Sequence, residues 1–260
     1  SIEYQYYQNM RKDNKKVNAA IIVIGNEILS GRTQETNVVF LSKWLNDLGV
    51  KVEEVRVIAD EQKVIAKCIN EVRKKFKYVF TTGGIGPTHD DITSCSIAKA
   101  FRLPYGYNKE AYALLEKYYK CSKFNDGRKK MAKMPDKASL IYNPSSGAPG
   151  FIVGNVYCLP GVPSILKAMV DGLKNNIVGG KKILSKTISV STVESEIAKP
   201  LEGVQNKFLH VEIGSYPFFR LGKVGVSIVI RSTDWNQIEV CAKQIKSFIQ
   251  KKKIKIIERE

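Results

Sequence analysis

One segment concentrates the residue types that chemistry needs. Thr81-Thr-Gly-Gly-Ile-Gly-Pro-Thr-His-Asp-Asp91 follows an apolar run, Tyr78–Thr82, and precedes a helical pattern over 92–101. Gly83, Gly84 and Gly86 let the backbone turn sharply and bring its N–H groups close to an anion. The helix that follows adds unpaired donors and the positive end of its dipole. The pattern is neither G-x-G-x-x-G nor a Walker A loop, since no Gly-Lys-Ser/Thr follows. Asp90 and Asp91 stand where a phosphate would sit, and carboxylates repel phosphate unless a divalent cation lies between them. Mg²⁺ is commonly held this way, by one or two carboxylates and phosphate oxygens. The competing reading is that one of the two aspartates caps the helix.

Two further clusters follow strand-like runs. Gly25-Asn-Glu-Ile-Leu-Ser-Gly31 offers Glu27 as a third carboxylate and Ser30 as a hydroxyl, and Thr33-Gln-Glu-Thr-Asn37 leads into the next helix. Turn and cap chemistry is the plain alternative for Glu27 and Asn37. Asp60 ends the next strand, as a fourth polar group at that rim or as a helix cap. The other cluster is Asn143-Pro-Ser-Ser-Gly-Ala-Pro-Gly150, with Lys133 upstream and Leu159-Pro-Gly-Val-Pro163 downstream. Thr82, Ser146, Gly147, Gly150 and Lys133 complete the candidate phosphate-binding set. His89 and His210 fall in different expected domains, and neither a Gly-x-Ser-x-Gly elbow nor a Cys/His pairing is present.

The elements that must position these residues alternate. Ala19–Ile24 reads as a buried strand and Val38 to Leu48 as a helix stopped by Gly49. Lys51–Ile58 is a strand, 61–76 a helix and Tyr78–Thr82 a strand. Strand–helix repetition with short joints predicts a mostly parallel sheet covered on both faces. A lysine-rich helical stretch is expected over 108–134, strands at 140–142 and 151–159, and a helix over 164–173. Beyond a joint at 175–182 the pattern is strand (183–191), helix (193–206), strand (209–213), strand (224–231) and helix (235–251). The expected organisation is a tail at 1–17, an α/β domain at 18–174 and a small α+β domain at 183–258.

Composition bounds the rest. The 260 residues are 43% hydrophobic and 26% charged, enough for one large or two moderate cores. Apolar runs such as Ala19–Ile24 are far short of the ~20 residues that span a membrane. No apolar signal-peptide core is visible. The five cysteines contain no Cys-x-x-Cys pair, which suits idle thiols in a reducing, cytoplasmic compartment. The net charge of +17 invites a nucleic-acid reading. Yet 33 Lys against 9 Arg, with Ile and Asn plentiful, is what AT-rich codon usage produces, and the lysines are scattered. Non-specific nucleic-acid attraction is the expectation.

Several of these motifs recur in order in one family. Ile24-Gly-Asn-Glu-Ile-Leu-Ser-Gly31, Thr36-Asn37, Thr81–Thr93, Met134-Pro135, Asn143–Gly150 and Leu159-Pro-Gly-Val-Pro163 resemble the MoaB/Mog-type molybdopterin-binding domain, in the branch of competence/damage-inducible protein A (CinA). The part after 183, with Glu212-Ile-Gly-Ser-Tyr-Pro217, resembles that family's small KH-like domain. The resemblance implies a three-layer α/β domain followed by a KH-like module. It also implies metal-dependent hydrolysis of a dinucleotide pyrophosphate such as ADP-ribose or FAD, using Mg²⁺ or Co²⁺ and helped by K⁺. Asp90 and Asp91 match the family's acidic metal loop, and Gly83, Gly84 and Gly86 its phosphate loop. Mog-type relatives imply the alternative of molybdopterin binding or adenylyl transfer, and a homo-oligomer. Asn26 departs from the aspartate often found there, which weakens a metal role at that position. Neither the amidase of longer CinA proteins nor FAD synthase activity is expected. RNA binding is the remaining reading. Gly222-Lys-Val-Gly225 has the letters of a KH loop but precedes a strand, so it reads as a hairpin turn.

Overall fold

The computed structural model describes residues 17–257, and the expected tail lies outside them except for Val17. These residues divide into two compact units after Gly180.

In the first unit the chain runs β1 (Val17–Ile24), α1 (Asn26–Leu29), α2 (Asn37–Asp47), β2 (Val50–Ile58), α3 (Gln62–Val72), β3 (Tyr78–Thr82) and α4 (Thr93–Phe101). It continues through β4 (Tyr105–Tyr107), α5 (Lys109–Lys123), α6 (Asp126–Lys130), β5 (Lys133–Pro135) and β6 (Ser139–Ile141). It closes with β7 (Gly150–Val153), β8 (Val156–Leu159), α7 (Pro163–Val170) and a 3₁₀ turn, Asp171–Asn176. The main sheet has the order β2-β1-β3-β8-β7-β6. β2, β1, β3 and β8 are mutually parallel. β7 runs against β8 and β6 against β7, so β6 points the same way as β8.

Alternate residues of β1 explain the three layers. Ala20, Ile22 and Ile24 pack with Ile65 and Ile69 of α3, Ile97 of α4 and Leu115 of α5. Ala19, Ile21 and Val23 pack with Leu41 and Leu45 of α2 and Leu166 and Met169 of α7. A strand covered on both faces is apolar throughout, as this one is. The carboxyl ends of β1, β2, β3, β8 and β6 consequently share one rim, where ligands bind in such sheets.

Three expectations are corrected here. The strand foreseen over 151–159 is a hairpin, β7 and β8, because Gly154 turns the chain at φ 56°. Asn155 fastens that turn by donating to Arg73 O and Phe76 O, each at 2.9 Å. The helix foreseen over 108–134 breaks at Lys120, with φ 56°, and again at Asn125, whose side chain caps α6. Its end becomes β5, which pairs with β4 in a separate two-stranded sheet. The first unit runs on to Gly180: Ile177 is buried, and Gly180 N donates to Gly49 O at 2.9 Å.

In the second unit β9 (Leu184–Ser191), α8 (Glu194–Lys207), β10 (Glu212–Arg220), β11 (Lys223–Ser232), α9 (Trp235–Lys251) and β12 (Lys255–Ile257) follow in turn. The antiparallel sheet has the order β10-β11-β9-β12, a split βαββαβ arrangement. Ile188, Val190, Val226 and Ile228 face Ile197 of α8 and Ile238 and Ile245 of α9. The strand foreseen at 209–213 begins at Glu212 and extends to Arg220. Pro217 is tolerated within it because β10 is an edge strand. Leu221 and Gly222, at φ 50° and 76°, make the two-residue turn that joins it to β11.

Candidate functional site

The glycine loop is pinned from three sides. Gly83 N donates to Leu159 O at 3.0 Å, and Thr93 Oγ1 at the start of α4 donates to Gly83 O at 2.9 Å. Thr93 N donates to Gly84 O at 2.9 Å. Gly83 and Gly84 have φ values of 97° and 73°, and neither has room for a side chain. A Cβ on Gly83 would lie 2.2 Å from Ile24 O, and one on Gly84 2.0 Å from Thr93 Oγ1. Gly161, in the turn after β8, packs with its would-be Cβ 3.4 Å from Gly83 Cα. The N–H groups of Gly84, Ile85 and Gly86 have no partner among the described residues. Unspent donors on a turn of this kind are what an anion needs.

Neither aspartate caps α4, whose N-cap is Ile92 without a side-chain bond. Both carboxylates instead gather around Thr88. Its Oγ1 lies 2.5 Å from Asp90 Oδ1 and 2.7 Å from Asp91 Oδ2, and its N donates to Asp91 Oδ2 at 2.8 Å. The Thr88 bond holds the Asp90 carboxyl below its ordinary range, assisted by the nearby Lys130. Lys130 Nζ donates to Thr88 O. This lysine was hidden in the run Arg128-Lys-Lys130, which the sequence alone shows only as charge. Lys133, the expected ligand, sits on the small sheet with its Nζ 5.0 Å from the Tyr107 ring centroid.

Across the rim, Asn26 N donates to Asp60 Oδ2 at 2.8 Å and Asp60 N to Asn26 Oδ1 at 3.2 Å, tying the loops after β1 and β2 together. Asp60 has its carboxyl pushed up, first by burial and then by the charges of Glu27, Asp90 and Asp91. Four carboxylates from three loops therefore share one electrostatic neighbourhood. No group of three His, Cys, Asp or Glu side chains among the described residues converges closely enough to hold a metal alone. The donor set that does converge, Asp90 and Asp91 about one hydroxyl, is hard oxygen. It fits a cation that completes its shell with phosphate and water.

Beside Glu27 lies a cleft of about 50 Å³ lined by Thr33, Asn37, Thr82 and Gly161. Glu35 caps α2, accepting from Asn37 N and Val38 N at 2.9 Å each. Asn37, 5% exposed, donates from Nδ2 to Gly161 O at 2.9 Å. Its Oδ1 has no partner among the described residues. A buried, unspent acceptor is costly unless something occupies the cleft. The sequence could not separate Asn37 as ligand group from Asn37 as cap.

The Asn143–Gly150 loop differs from the cradle expected of Ser146, Gly147 and Gly150. Ser145 N and Ser146 N donate to Asn143 Oδ1 at 2.9 and 3.0 Å, and Gly147 N to Asn143 O at 3.3 Å. Those donors close the loop on itself, while Asn143 Nδ2 donates to Ser146 Oγ at 2.7 Å. Gly150 is glycine for the sheet, since a Cβ there would meet Cys158 O at 2.3 Å.

Residues 20–179 match the family described as "Probable molybdopterin binding domain", and residues 182–258 match "FAD synthase, middle domain". A protein of Archaeoglobus fulgidus is 32% identical over 234 residues, covering 90% of this chain and 98% of its own. A CinA-like protein of Prochlorococcus marinus is 30% identical over 91% of this chain and 57% of its own length. A probable FAD synthase of Caenorhabditis elegans is 31% identical over 76% of this chain and 43% of its own. The crystal structure of CinA, of unknown function, from Thermoplasma acidophilum superposes with a TM-score of 0.59. It is 34% identical and covers 63% of this chain and 99% of its own.

Proposed function

The chain belongs to the probable molybdopterin binding domain family, in its CinA-like branch and with a FAD synthase middle domain, and from that premise we propose that its rim hydrolyses a dinucleotide pyrophosphate. The observation that carries the reading is the meeting of unspent N–H donors at Gly84, Ile85 and Gly86 with the paired carboxylates of Asp90 and Asp91. Donors alone would suit any anion, whereas donors beside carboxylates suit a phosphate that arrives with a divalent cation. Mg²⁺ or Co²⁺ held there supplies neutralisation of the charge that develops on the pyrophosphate oxygens. Asp90 and Asp91 hold the cation and Thr88 fixes their spacing. The loop N–H groups hold the phosphate that is not attacked. Glu27 and Asp60 stand across the rim, and the raised carboxyl of Asp60 suits a group that shares a proton with water. Lys130 braces the loop through Thr88 O. K⁺ is an activator in this reading.

ADP-ribose and FAD are the substrates proposed, the second supported by relatives described as FAD synthases. Molybdopterin binding is the second reading, favoured by the family description itself. RNA recognition through the small domain has less support. Gly222-Lys-Val-Gly225 lies at the turn between β10 and β11, not between two helices as a KH loop does. Among the described residues no helix is long and apolar enough to cross a membrane. The five free cysteines suit the cytoplasm. Incubating the protein with ADP-ribose, FAD, NAD and ATP, with Mg²⁺, Co²⁺ or EDTA, and separating the products by chromatography tests the proposal. Metal-dependent cleavage of a pyrophosphate supports it. Tight pterin binding with no cleavage of any of the four favours the second reading.

A further inference from the structure

A second cavity lies further along the same rim, against the Asn143–Gly150 loop and apart from the Gly83–Asp91 loop. It has a volume of about 670 Å³ between α5, the loop after β6 and α7 with the turn that follows. That is within the ~300–1,000 Å³ range of small-molecule sites. Leu114, Tyr118, Tyr142, Pro144 and Met169 make its walls mostly apolar, and Lys117 stands at its edge.

Its walls are already set. Tyr142 OH donates to Glu110 Oε1 at 2.5 Å, bracing the loop against the start of α5. At the other end Gly147, at φ 76°, lies so close to Tyr118 that a Cβ would be 2.7 Å from the ring. Asn143 spends its side chain within its own loop, on Ser145, Ser146 and Ala148. Two tyrosines held by such contacts, with few free polar groups between them, form a slot for something flat and aromatic.

The strand order gives the distance to the acidic loop. β3, β8, β7 and β6 are consecutive neighbours. Three spacings of about 4.8 Å put the ends of β3 and β6 about 14 Å apart on one edge. A dinucleotide carries its rings on sugar arms on either side of the pyrophosphate, so a ring lies well away from the phosphates. We propose that this slot binds the heteroaromatic ring of the ligand whose phosphates rest on the Gly83–Asp91 loop. The inference deepens the reading above and rests on it for the phosphate half of the ligand. The ring half stands on the cavity alone.

Adenosine and riboflavin carry the two kinds of ring without phosphate. Each is titrated into the full chain in EDTA, riboflavin by fluorescence quenching and adenosine by calorimetry. The one that saturates identifies the ring. Tyr142→Ala, at an exposed position, removes one wall and weakens binding about tenfold. Ala168→Trp, at a half-buried position of α7 that lines the slot, fills it and abolishes binding. Failure of both probes to bind, or binding unchanged in both variants, overturns the inference. So does conversion of an oligomer to monomer by Ala168→Trp without any ring binding, which makes the slot a contact between copies of the chain. Should the rings bind as expected while no pyrophosphate is cleaved, the slot stands and the hydrolase reading falls. Cleavage whose KM is unchanged in Tyr142→Ala leaves the hydrolase reading and removes the slot.

Discussion

Replacing Gly83 by alanine would place a methyl carbon 2.2 Å from Ile24 O, at a backbone φ of 97°. The two defects are separable. The left-handed conformation costs an L-residue about 1–2 kcal/mol. The overlap cannot be relieved by rotating a side chain, because Ile24 O belongs to the buried strand β1. The loop must move by about 1 Å to restore ordinary contact. That movement stretches the bond from Gly83 N to Leu159 O, now 3.0 Å, and leaves a buried group short of its partner at about 1–3 kcal/mol. The sum is about 2–5 kcal/mol, or on the order of 10 °C in melting temperature for a unit of this size. Gly31→Ala is the control. It has a similar φ of 74° but nothing within 4 Å of its Cβ, so only the conformational cost of about 1 kcal/mol applies. Calorimetric melting of both variants in the full chain is the assay. Equal melting temperatures for the two would refute the claim that β1 and β8 clamp this loop.

Three further outcomes are expected. In Gly86→Ala the new Cβ meets the Asp91 carboxylate first, at 2.7 Å from Oδ2. The variant should fold normally and lose about 100-fold in pyrophosphate turnover as that ligand is displaced. Normal turnover would remove Asp91 from the site. RNA retained at low salt by the +17 charge should be released near ~150 mM salt, because the attraction is counterion release. Retention that resists salt and selects sequence would promote the RNA reading. Light scattering at micromolar concentration should give a dimer or trimer mass, and a monomer mass would contradict it.

The sequence was most informative where a single pattern had a single consequence. The run Ala19–Ile24 ending in Gly25 could hardly be anything but a strand buried on both faces. The stripe Ile65, Cys68, Ile69 and Val72 gave α3 in the same way. Patterns with two solutions misled. Phe151–Leu159 is as apolar as a single strand, and only the turn at Gly154 and the Asn155 anchor make it two. The strand expected at 209–213 instead runs from Glu212 through Pro217 to Arg220, which its place at the sheet edge permits. At the site, periodicity brought the loops after β1 and β3 to one rim. Side-chain bookkeeping stayed out of reach. Nothing in Asn143-Pro-Ser-Ser-Gly says that Asn143 will consume the donors of the next residues. Nothing in Glu35-Thr-Asn37 says that Glu35 caps the helix and leaves Asn37 Oδ1 unspent.

The central claim is that Asp90 and Asp91 hold a divalent cation against a pyrophosphate. Release of nucleoside monophosphate from ADP-ribose and FAD, followed for wild type and Asp91→Asn at saturating Mg²⁺ or Co²⁺, tests it most directly. Asparagine keeps the shape and still accepts from Thr88 N, so the fold should be preserved while turnover is abolished and wild-type activity is lost in EDTA. Undiminished, chelator-resistant cleavage by a folded Asp91→Asn protein would contradict the account.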